Sequence, residues 1–409
     1  MLKIYLDIFW TFLILGCTSF GGPIAHLAYF RVAFVEQKKW LSEQEYAQIL
    51  TICQTLPGPA SSQVGFSIGL TRGGYVGALL AFVGFTLPSV LLLIIFASQL
   101  SVFSADLGQS VLNGLAILAF VVVLQGVLGM ARQLCHTQLT LSIALVVFVA
   151  LVLHQSLIVQ ILAIVFGSIF AFLFAKPPET INKAVDTPLS KPSAKFAQHT
   201  NVLSIRSAIV CAFLFVAFLA GLPFFSGLFF APAAGFYQSG SLVFGGGHVV
   251  LPLLEQMSVQ PGLLERQAFL AGYGATQAVP GPMFSFAAYL GYLWPTADSS
   301  MLSAISNAFW ATAFIFLPGF LLVGAVLPIW QYVMHKPFIQ KCIVGANAAV
   351  VGLLAATLYD PIFTHAISSS TDVAIAAICF VLLHRFRFPV LFIVFASVLL
   401  SVLASLLGL

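Results

Sequence analysis

The chain has 409 residues, of which 60% are hydrophobic and 7% are charged, and its formal net charge is +4. Its 16 basic and 12 acidic side chains cannot form the polar surface that a soluble protein of this length needs. The composition therefore excludes a soluble globular protein and predicts an all-α integral membrane protein. Six scattered cysteines without a CxxC pair argue against a disulfide framework or a metal site.

The predicted elements are apolar segments along the whole chain. A helix needs about 20 apolar residues to cross the hydrocarbon core of a bilayer. Nine segments show this pattern without interruption, at 73–100, 107–130, 139–154, 156–175, 207–230, 302–327, 343–358, 371–386 and 389–408. Four more are apolar but interrupted by glycine and proline, at 4–28, 43–71, 232–254 and 265–292. If all four cross fully, the chain has thirteen transmembrane segments.

The segment 176–205 is polar and contains four lysines and four prolines before its last ten residues, which predicts a linker. The positive-inside rule places this linker in the cytoplasm. It separates an N-terminal repeat, 1–175, from an extra transmembrane helix, 206–231, and a C-terminal repeat, 232–409. The same rule places the following cations inside: Arg72, Arg132, Lys336, Lys341, Arg385 and Arg387. It leaves the loops at 101–106 and 359–371 outside.

Three motifs occur in both halves in the same order and predict an internal duplication. The pairs are SFGGPIAH (19–26) with VFGGGHVV (243–250), QTLPGP (54–59) with QAVPGP (277–282), and TLPSVLLL (86–93) with FLPGFLLV (316–323). The extra helix between the halves predicts that the second copy has the opposite orientation in the membrane. Inverted repeats with interrupted helices are typical of secondary transporters.

The paired interruptions predict a site for an anion. Proline cannot continue a helix, so each interruption begins a new helix whose free N–H groups favour negative charge. No carboxylate is adjacent to either PGP turn, which favours an anion over a cation. The predicted substrate-binding residues are Gly21, Gly22, Pro23, His26, Gln54, Pro57, Gly58, Pro59, Ser61, Ser62, Arg72, Gly245, Gly246, Gly247, His248, Gln277, Pro280, Gly281, Pro282 and Ser285.

Structural interpretations stay open for several of these residues. The PGP turns can be simple kinks, both histidines can bond to the backbone, and Arg72 can anchor a helix end at the membrane surface. Gly73, Gly74 and Gly77 are expected to serve helix packing. The sequence has no P-loop, HExxH, GxSxG or basic-aromatic patch, so it predicts no cofactor, no enzyme and no nucleic-acid partner.

These motifs resemble the chromate ion transporter family in its long, two-domain form. The resemblance covers nearly the whole chain and is based on FGGPIAH, FVEQKKWLSEQEY (34–46), CQTLPGPASSQ (53–63), FGGGHVVLPLLE (244–255) and QAVPGPMFSFAAYLG (277–291). It implies two halves of opposite topology, often with thirteen spans, that export chromate across the inner membrane and confer chromate resistance. In one departure, Gly247 stands where the first copy has Pro23, so the two halves are not expected to contribute identical ligands.

The sequence therefore predicts a multi-pass inner-membrane carrier whose partners are an oxyanion and membrane lipid. A permease for sulfate or a related oxyanion is the nearest alternative, since chromate and sulfate have the same shape and charge. A passive anion channel, or an intramembrane enzyme using His26, His248 or Cys53, is an alternative of a different class. Coupling to protons or to an exchanged oxyanion stays open, and a homodimer is compatible with the sequence.

Overall fold

In the computed structural model the chain is helical, with no strand among the described residues. These residues are 1–20, 22–100, 106–154, 156–175, 205–224, 232–243, 247–295, 300–330 and 336–407. Within these ranges, five helices are long and apolar enough to cross a membrane: Ala60–Ser98, Gly108–Leu134, Ile205–Phe224, Met301–Ile329 and Phe338–Ala366. The predicted all-α membrane fold is confirmed. The inverted orientation of the halves and the count of thirteen spans stay predictions.

The helices follow the predicted segments closely. In the first half they are α1 (Leu2–Thr18), α2 (Gly22–Arg31), α3 (Glu43–Thr55), α4 (Ala60–Ser98), α5 (Asp106–Leu134), α6 (Gln138–Leu153) and α7 (Leu157–Phe174). Then follow α8 (Ile205–Gly221), α9 (Ala233–Leu242), α10 (Val250–Ser258), α11 (Arg266–Ala278), α12 (Phe286–Leu293), α13 (Met301–Val326), α14 (Pro337–Thr357), α15 (Ser370–His384) and α16 (Val390–Leu406). The predicted linker lies outside the described residues except for its last residue.

Each of the four interrupted segments consists of two helices instead of one. The breaks separate α1 from α2, α3 from α4, α9 from α10, and α11 from α12. At the PGP turns, proline removes a backbone donor and stops the helix. Helices α3 and α11 each have 13 residues, which is about 20 Å and less than the hydrocarbon core of about 30 Å. Neither helix therefore crosses a bilayer by itself.

Helix α4 is sharply bent in the middle. The backbone is not helical at Gly73 (φ −140°, ψ 20°) or Gly74 (φ 63°, ψ −159°). The two arms fold against each other, because a Cβ added to Gly69 would lie 2.5 Å from the carbonyl oxygen of Gly77. Gly77 thus serves close packing as expected, whereas the same expectation for Gly74 is wrong. Its positive φ reverses the chain, a conformation that glycine adopts without steric cost.

The two halves of the sequence are interleaved. Within the first half α1 packs along α4, and within the second half α9 and α12 pack along α13. Across the halves, α14 packs against α6 and α7, and α5 packs against α11 and α16. The approach of α7 to α14 is close, since a Cβ added to Gly167 would lie 2.6 Å from the carbonyl oxygen of Gly345. A site between the halves is therefore enclosed by helices from both.

Candidate functional site

The two PGP turns form matching contacts with the opposite half. The Gly58 N–H donates to the Val243 carbonyl at 2.7 Å, and the Gly281 N–H donates to the Ser19 carbonyl at 3.0 Å. Ser19 and Val243 are the first residues of the paired motifs SFGGPIAH and VFGGGHVV. Each PGP glycine is therefore fixed by the residue that precedes the glycine-rich break of the other half.

The same glycines lie against the proline-containing helices of the opposite half. A Cβ added to Gly58 would lie 3.1 Å from the Gly319 Cα, and one added to Gly281 would lie 2.9 Å from the Ser89 Oγ. Gly319 and Ser89 each follow the leucine–proline pair of the third repeated motif. Both PGP glycines have positive φ, 123° at Gly58 and 110° at Gly281. Glycine is required at both positions because side chains at such φ values are strained and would meet the facing helix.

The breaks meet at a cavity of about 570 Å³ that is lined by both halves. Eight of the predicted binding residues line it: Gly22, Pro23, Gln54, Gly58, Gly247, His248, Gln277 and Gly281. The lining continues to Arg132 and Gln133, whose side chains are exposed, and to His384. The cavity thus extends from the paired breaks to the exposed ends of α5 and α15.

Helix α5 contributes a polar face that the sequence prediction missed. Gln125, Gly129, Arg132 and Gln133 line the cavity. Their spacing of three and four residues puts them on one side of the helix. This spacing could have indicated the polar face from the sequence. The segment has a high mean hydropathy, however, so it was interpreted only as an apolar membrane span. Arg132 was predicted only as a cation at the cytoplasmic end of a span.

The charge of the lining suits an anion. The described residues that line the cavity include no Asp or Glu, and Arg132 is the one Lys or Arg among them. Polar groups are contributed by Gln54, Gln125 and Gln277 and by Asn347. Helix α4 also begins at this cavity, with Ala60 in its wall, and no side chain caps its N-terminus. Its first free N–H groups add partial positive charge near the Pro57–Pro59 turn.

Gln277 has an unsatisfied donor in this wall. Its Nε2 is buried and has no hydrogen-bond partner within the described part of the chain. A buried amide donor without a partner loses the hydrogen bonds it would make to water, at a cost of about 1–3 kcal/mol. A ligand oxygen that came within hydrogen-bonding distance of Nε2 would satisfy it.

His248 is held in position by the hydroxyl group of Tyr273. The distance from Nδ1 to the Tyr273 hydroxyl is 2.7 Å, and Tyr273 is fully buried on α11. On its other side the ring lies against Gly126 of α5, where an added Cβ would be 3.0 Å from the ring carbon Cδ2. The sequence predicted a role for His248 but could not identify this tyrosine, since Tyr273 has no equivalent in the first half.

The other twelve predicted residues are not among the described residues that line the cavity. Three lie outside the described residues: Gly21, Gly245 and Gly246. Nine are described but do not line the cavity: His26, Pro57, Pro59, Ser61, Ser62, Arg72, Pro280, Pro282 and Ser285. His26 is 1% exposed and packs edge-on against Phe85. The Ser285 hydroxyl donates to the Pro282 carbonyl, and Arg72 lies over the Trp40 ring at 5.3 Å.

The basic segment after the first break is paired with carboxylates. Arg31 donates to Glu43 at 2.7 Å and to Glu36 at 2.6 Å. The Glu43 carboxylate, followed by that of Glu36, raises the pKa of the Arg31 guanidinium above its ordinary value. Lys38 donates to Asp7 at 2.7 Å. These cations therefore connect surface segments and lie outside the cavity lining.

Gln63 fixes the first PGP turn. Its side chain is fully buried, and its Nε2 donates to the Pro57 carbonyl at 2.9 Å and to the Gly319 carbonyl at 3.2 Å. It thus satisfies an acceptor freed by the break and connects α4 to α13. Sequence reasoning missed this function, because Phe286 occupies the equivalent position of the second half. Within the described ranges, no three His, Cys, Asp or Glu side chains are grouped to hold a metal ion.

Comparison with known proteins identifies the family. The model of the family described as "Chromate transporter" matches residues 6–173 and 230–402. An uncharacterized transporter of Methanocaldococcus jannaschii is 26% identical over 86% of this chain and 83% of its own length. A probable chromate transport protein of Synechococcus elongatus is 26% identical over 84% of this chain and 81% of its own.

A chromate transport protein of Pseudomonas aeruginosa is 24% identical over 87% of this chain and 80% of its own length. No solved structure matches this chain. The family model covers both halves, including the two pairs of breaks that meet at the cavity. The chain therefore belongs to the chromate transporter family.

Proposed function

We propose that this protein is a secondary transporter that exports chromate from the cytoplasm through the cavity between its two halves. A chromate transport role is supported by the family and by the relatives from Synechococcus elongatus and Pseudomonas aeruginosa, whose names include chromate transport. As a family member with several membrane-length apolar helices, it is a multi-pass inner-membrane protein. The related proteins are transporters, which points away from an enzyme.

The observation that most supports this function is the unsatisfied amide of Gln277 in the cavity wall. Gln54, at the equivalent position of the first half, lines the same cavity. A tetrahedral dianion has four acceptor oxygens and no donor, so it suits a wall with amide donors, helix N-termini and Arg132. The absence of a recorded carboxylate from the lining avoids the repulsion that a dianion would meet.

The direction of transport is proposed from the position of the cavity mouth. Arg132 and His384 lie at the ends of α5 and α15 that the positive-inside rule predicts to be cytoplasmic. An anion to be exported would enter at this end. Arg132 at the mouth would raise the local concentration of dianions there.

The domain organisation is part of the proposal. The family model matches two stretches of similar length and leaves out 174–229, which contains the predicted linker and all but the last two residues of the predicted extra helix. The matching hydrogen bonds of Gly58 and Gly281 are those expected of two copies related by a twofold axis. Alternating access would then move one inverted half against the other around a fixed site.

Removing either glutamine amide is expected to impair transport. Everted membrane vesicles with the wild-type protein should accumulate chromate, and excess sulfate should compete because it has the same shape and charge. Gln54→Ala and Gln277→Ala should each reduce uptake about tenfold, since a hydrogen bond to a charged group contributes about 1.5–3 kcal/mol. Gln267→Ala is the matched control, because Gln267 bonds to Gln109 away from this cavity.

Two results would contradict the proposal. If Gln54→Ala and Gln277→Ala take up chromate as fast as wild type, the oxyanion binds elsewhere. Sulfate uptake without chromate uptake would overturn the proposed substrate.

A further inference from the structure

The hairpin of α10 and α11 has two side-chain contacts. Near the cavity, His248, just before α10, bonds to Tyr273 of α11. Farther along, Glu255 of α10 forms an ion pair with Arg266 of α11, with 3.2 Å between Oε1 and Nη2. Each helix advances seven residues between the two contacts, which is two turns or about 10 Å. The two helices therefore connect the cavity wall to Glu255 by a short, direct path.

The second contact belongs to a larger cluster, which we call the Glu255 cluster: Glu255, Arg266, Asp360 and His365. Arg266 donates through Nη1 to His365 Nε2 at 3.0 Å. His365 therefore has its hydrogen on Nδ1, which lies 3.0 Å from the Pro361 carbonyl. Asp360 adds a second negative charge near Glu255. Arg266 and His365 lie at the end of the molecule where the sequence predicts the outer face, opposite the mouth of the cavity.

The Glu255 carboxylate differs in its burial from the carboxylates of the exposed ion pairs. Its side chain is only 4% exposed, whereas the carboxylates paired with Arg31 are 50% and 56% exposed. The attraction within a buried ion pair often does not exceed the free energy lost when both charges leave water. Such a pair is therefore weak evidence for a role in fold stability. A buried ionisable group inside a membrane protein more often marks a path for an ion or a proton.

The surroundings of Glu255 contain few other ionisable groups. Helix α10 packs against α9 and α14 and against the turn that contains His248. Helix α9 has no charged residue, and its Tyr237 donates to the Phe215 carbonyl. The ionisable residues of α14, Lys341 and Cys342, lie in its first two turns, whereas Asp360 follows its other end. Besides His248 in the turn, the groups that bear on Glu255 are therefore those of the Glu255 cluster.

We propose that Glu255 is the proton-binding site that couples oxyanion export to proton entry, with Arg266, which His365 also holds in place, as its ionic partner; this inference rests on the proposed function. With Glu255 ionised, its pair with Arg266 holds the outer end of the α10–α11 hairpin closed. A proton added to a Glu255 oxygen removes one charge of the pair.

Protonation of Glu255 thus weakens its contact with Arg266 and frees the outer end of the hairpin. Because His248 and Tyr273 belong to the same hairpin, movement at the outer end displaces the cavity wall. When the Glu255–Arg266 pair forms again, it favours the carboxylate and releases the proton. No covalent bond other than those to the transferred proton changes.

The test separates coupling from binding in proteoliposomes that contain the full-length protein. Chromate accumulation driven by a pH gradient, chromate-dependent proton movement, and chromate–chromate exchange at equal pH are measured together. Wild type should show all three. Glu255→Gln should lose the accumulation driven by the pH gradient and the chromate-dependent proton movement. It should retain chromate–chromate exchange within about twofold of wild type. Glu43→Gln, which removes an exposed carboxylate outside the Glu255 cluster, should behave as wild type.

If Glu255→Gln does not fold, the double variant Glu255→Gln with Arg266→Gln removes both charges together and should give the same uncoupled exchange. Proton movement that persists in a folded Glu255 variant would overturn the inference. So would a wild-type protein that exchanges chromate without moving protons, and the proposed function would then survive. A wild-type protein that neither accumulates nor exchanges chromate would overturn the proposed function itself.

Discussion

Alanine at either PGP glycine is expected to abolish chromate transport. In Gly281→Ala the new Cβ would lie 2.9 Å from Ser89 Oγ, at a backbone φ of 110°. In Gly58→Ala it would lie 2.8 Å from Gln63 Nε2 and 3.1 Å from the Gly319 Cα, at φ 123°. The strain of such a conformation is on the order of 1–3 kcal/mol before any clash is counted. The turn should relax by breaking its hydrogen bond to Val243 or Ser19 of the opposite half.

Chromate uptake into everted vesicles and the thermal midpoint of the purified protein measure this effect. Gly129→Ala is the matched control, because Gly129 lines the same cavity, lies within helix α5, and has no atom within 4 Å of an added Cβ. It should keep at least half of the wild-type uptake. If the Gly58 and Gly281 variants transport as well as the Gly129 variant, the paired turns do not organise the site.

Neutralising Arg132 is expected to weaken capture of the oxyanion. Arg132 is the one Lys or Arg recorded in the cavity lining, and its side chain is exposed at the mouth. Arg132→Gln should raise the KM for chromate on the order of tenfold and change kcat less, because the lost attraction acts on entry and binding. Arg132→Lys should restore part of the loss, since it keeps the charge but not the planar fork of donors.

Arg72→Gln is the control for this change. Arg72 is also a predicted cytoplasmic cation, but it lies over Trp40 and outside the cavity lining. Initial rates of uptake over a range of chromate and salt concentrations give KM and kcat. The effect of Arg132→Gln should shrink as salt screens the exposed charge. An unchanged KM in Arg132→Gln, or an equal rise in Arg72→Gln, would contradict an anion-attracting mouth at Arg132.

The sequence predicted the helix breaks well, because proline and glycine act locally. The predicted interruptions at Pro57–Pro59 and Pro280–Pro282 are present, and both turns border one cavity. The motif pairing also indicated which residues correspond between the halves. It could not show that Gly58 bonds to Val243, since such a contact depends on how the halves interleave.

The sequence predicted the cavity wall less well, because the rotation of a helix beyond a break is not fixed by the break itself. His26, Ser61 and Ser62 follow the breaks closely, yet all three are buried outside the lining. Conversely, Gln125 and Arg132 line the cavity although they lie far from any repeated motif. They line the site because α5 packs against α11 and α16 of the second half, and the sequence of α5 alone does not predict this packing.

The position of the bound anion is the most direct test of the central claim. Chromium scatters anomalously, so crystals of the protein soaked in chromate would show the metal centre of the oxyanion directly. We expect a single chromium peak in the cavity between the two PGP turns, within hydrogen-bonding reach of Gln54 or Gln277 through its oxygens. A chromium peak outside this cavity, in a protein that transports chromate, would contradict the site proposed between the two halves.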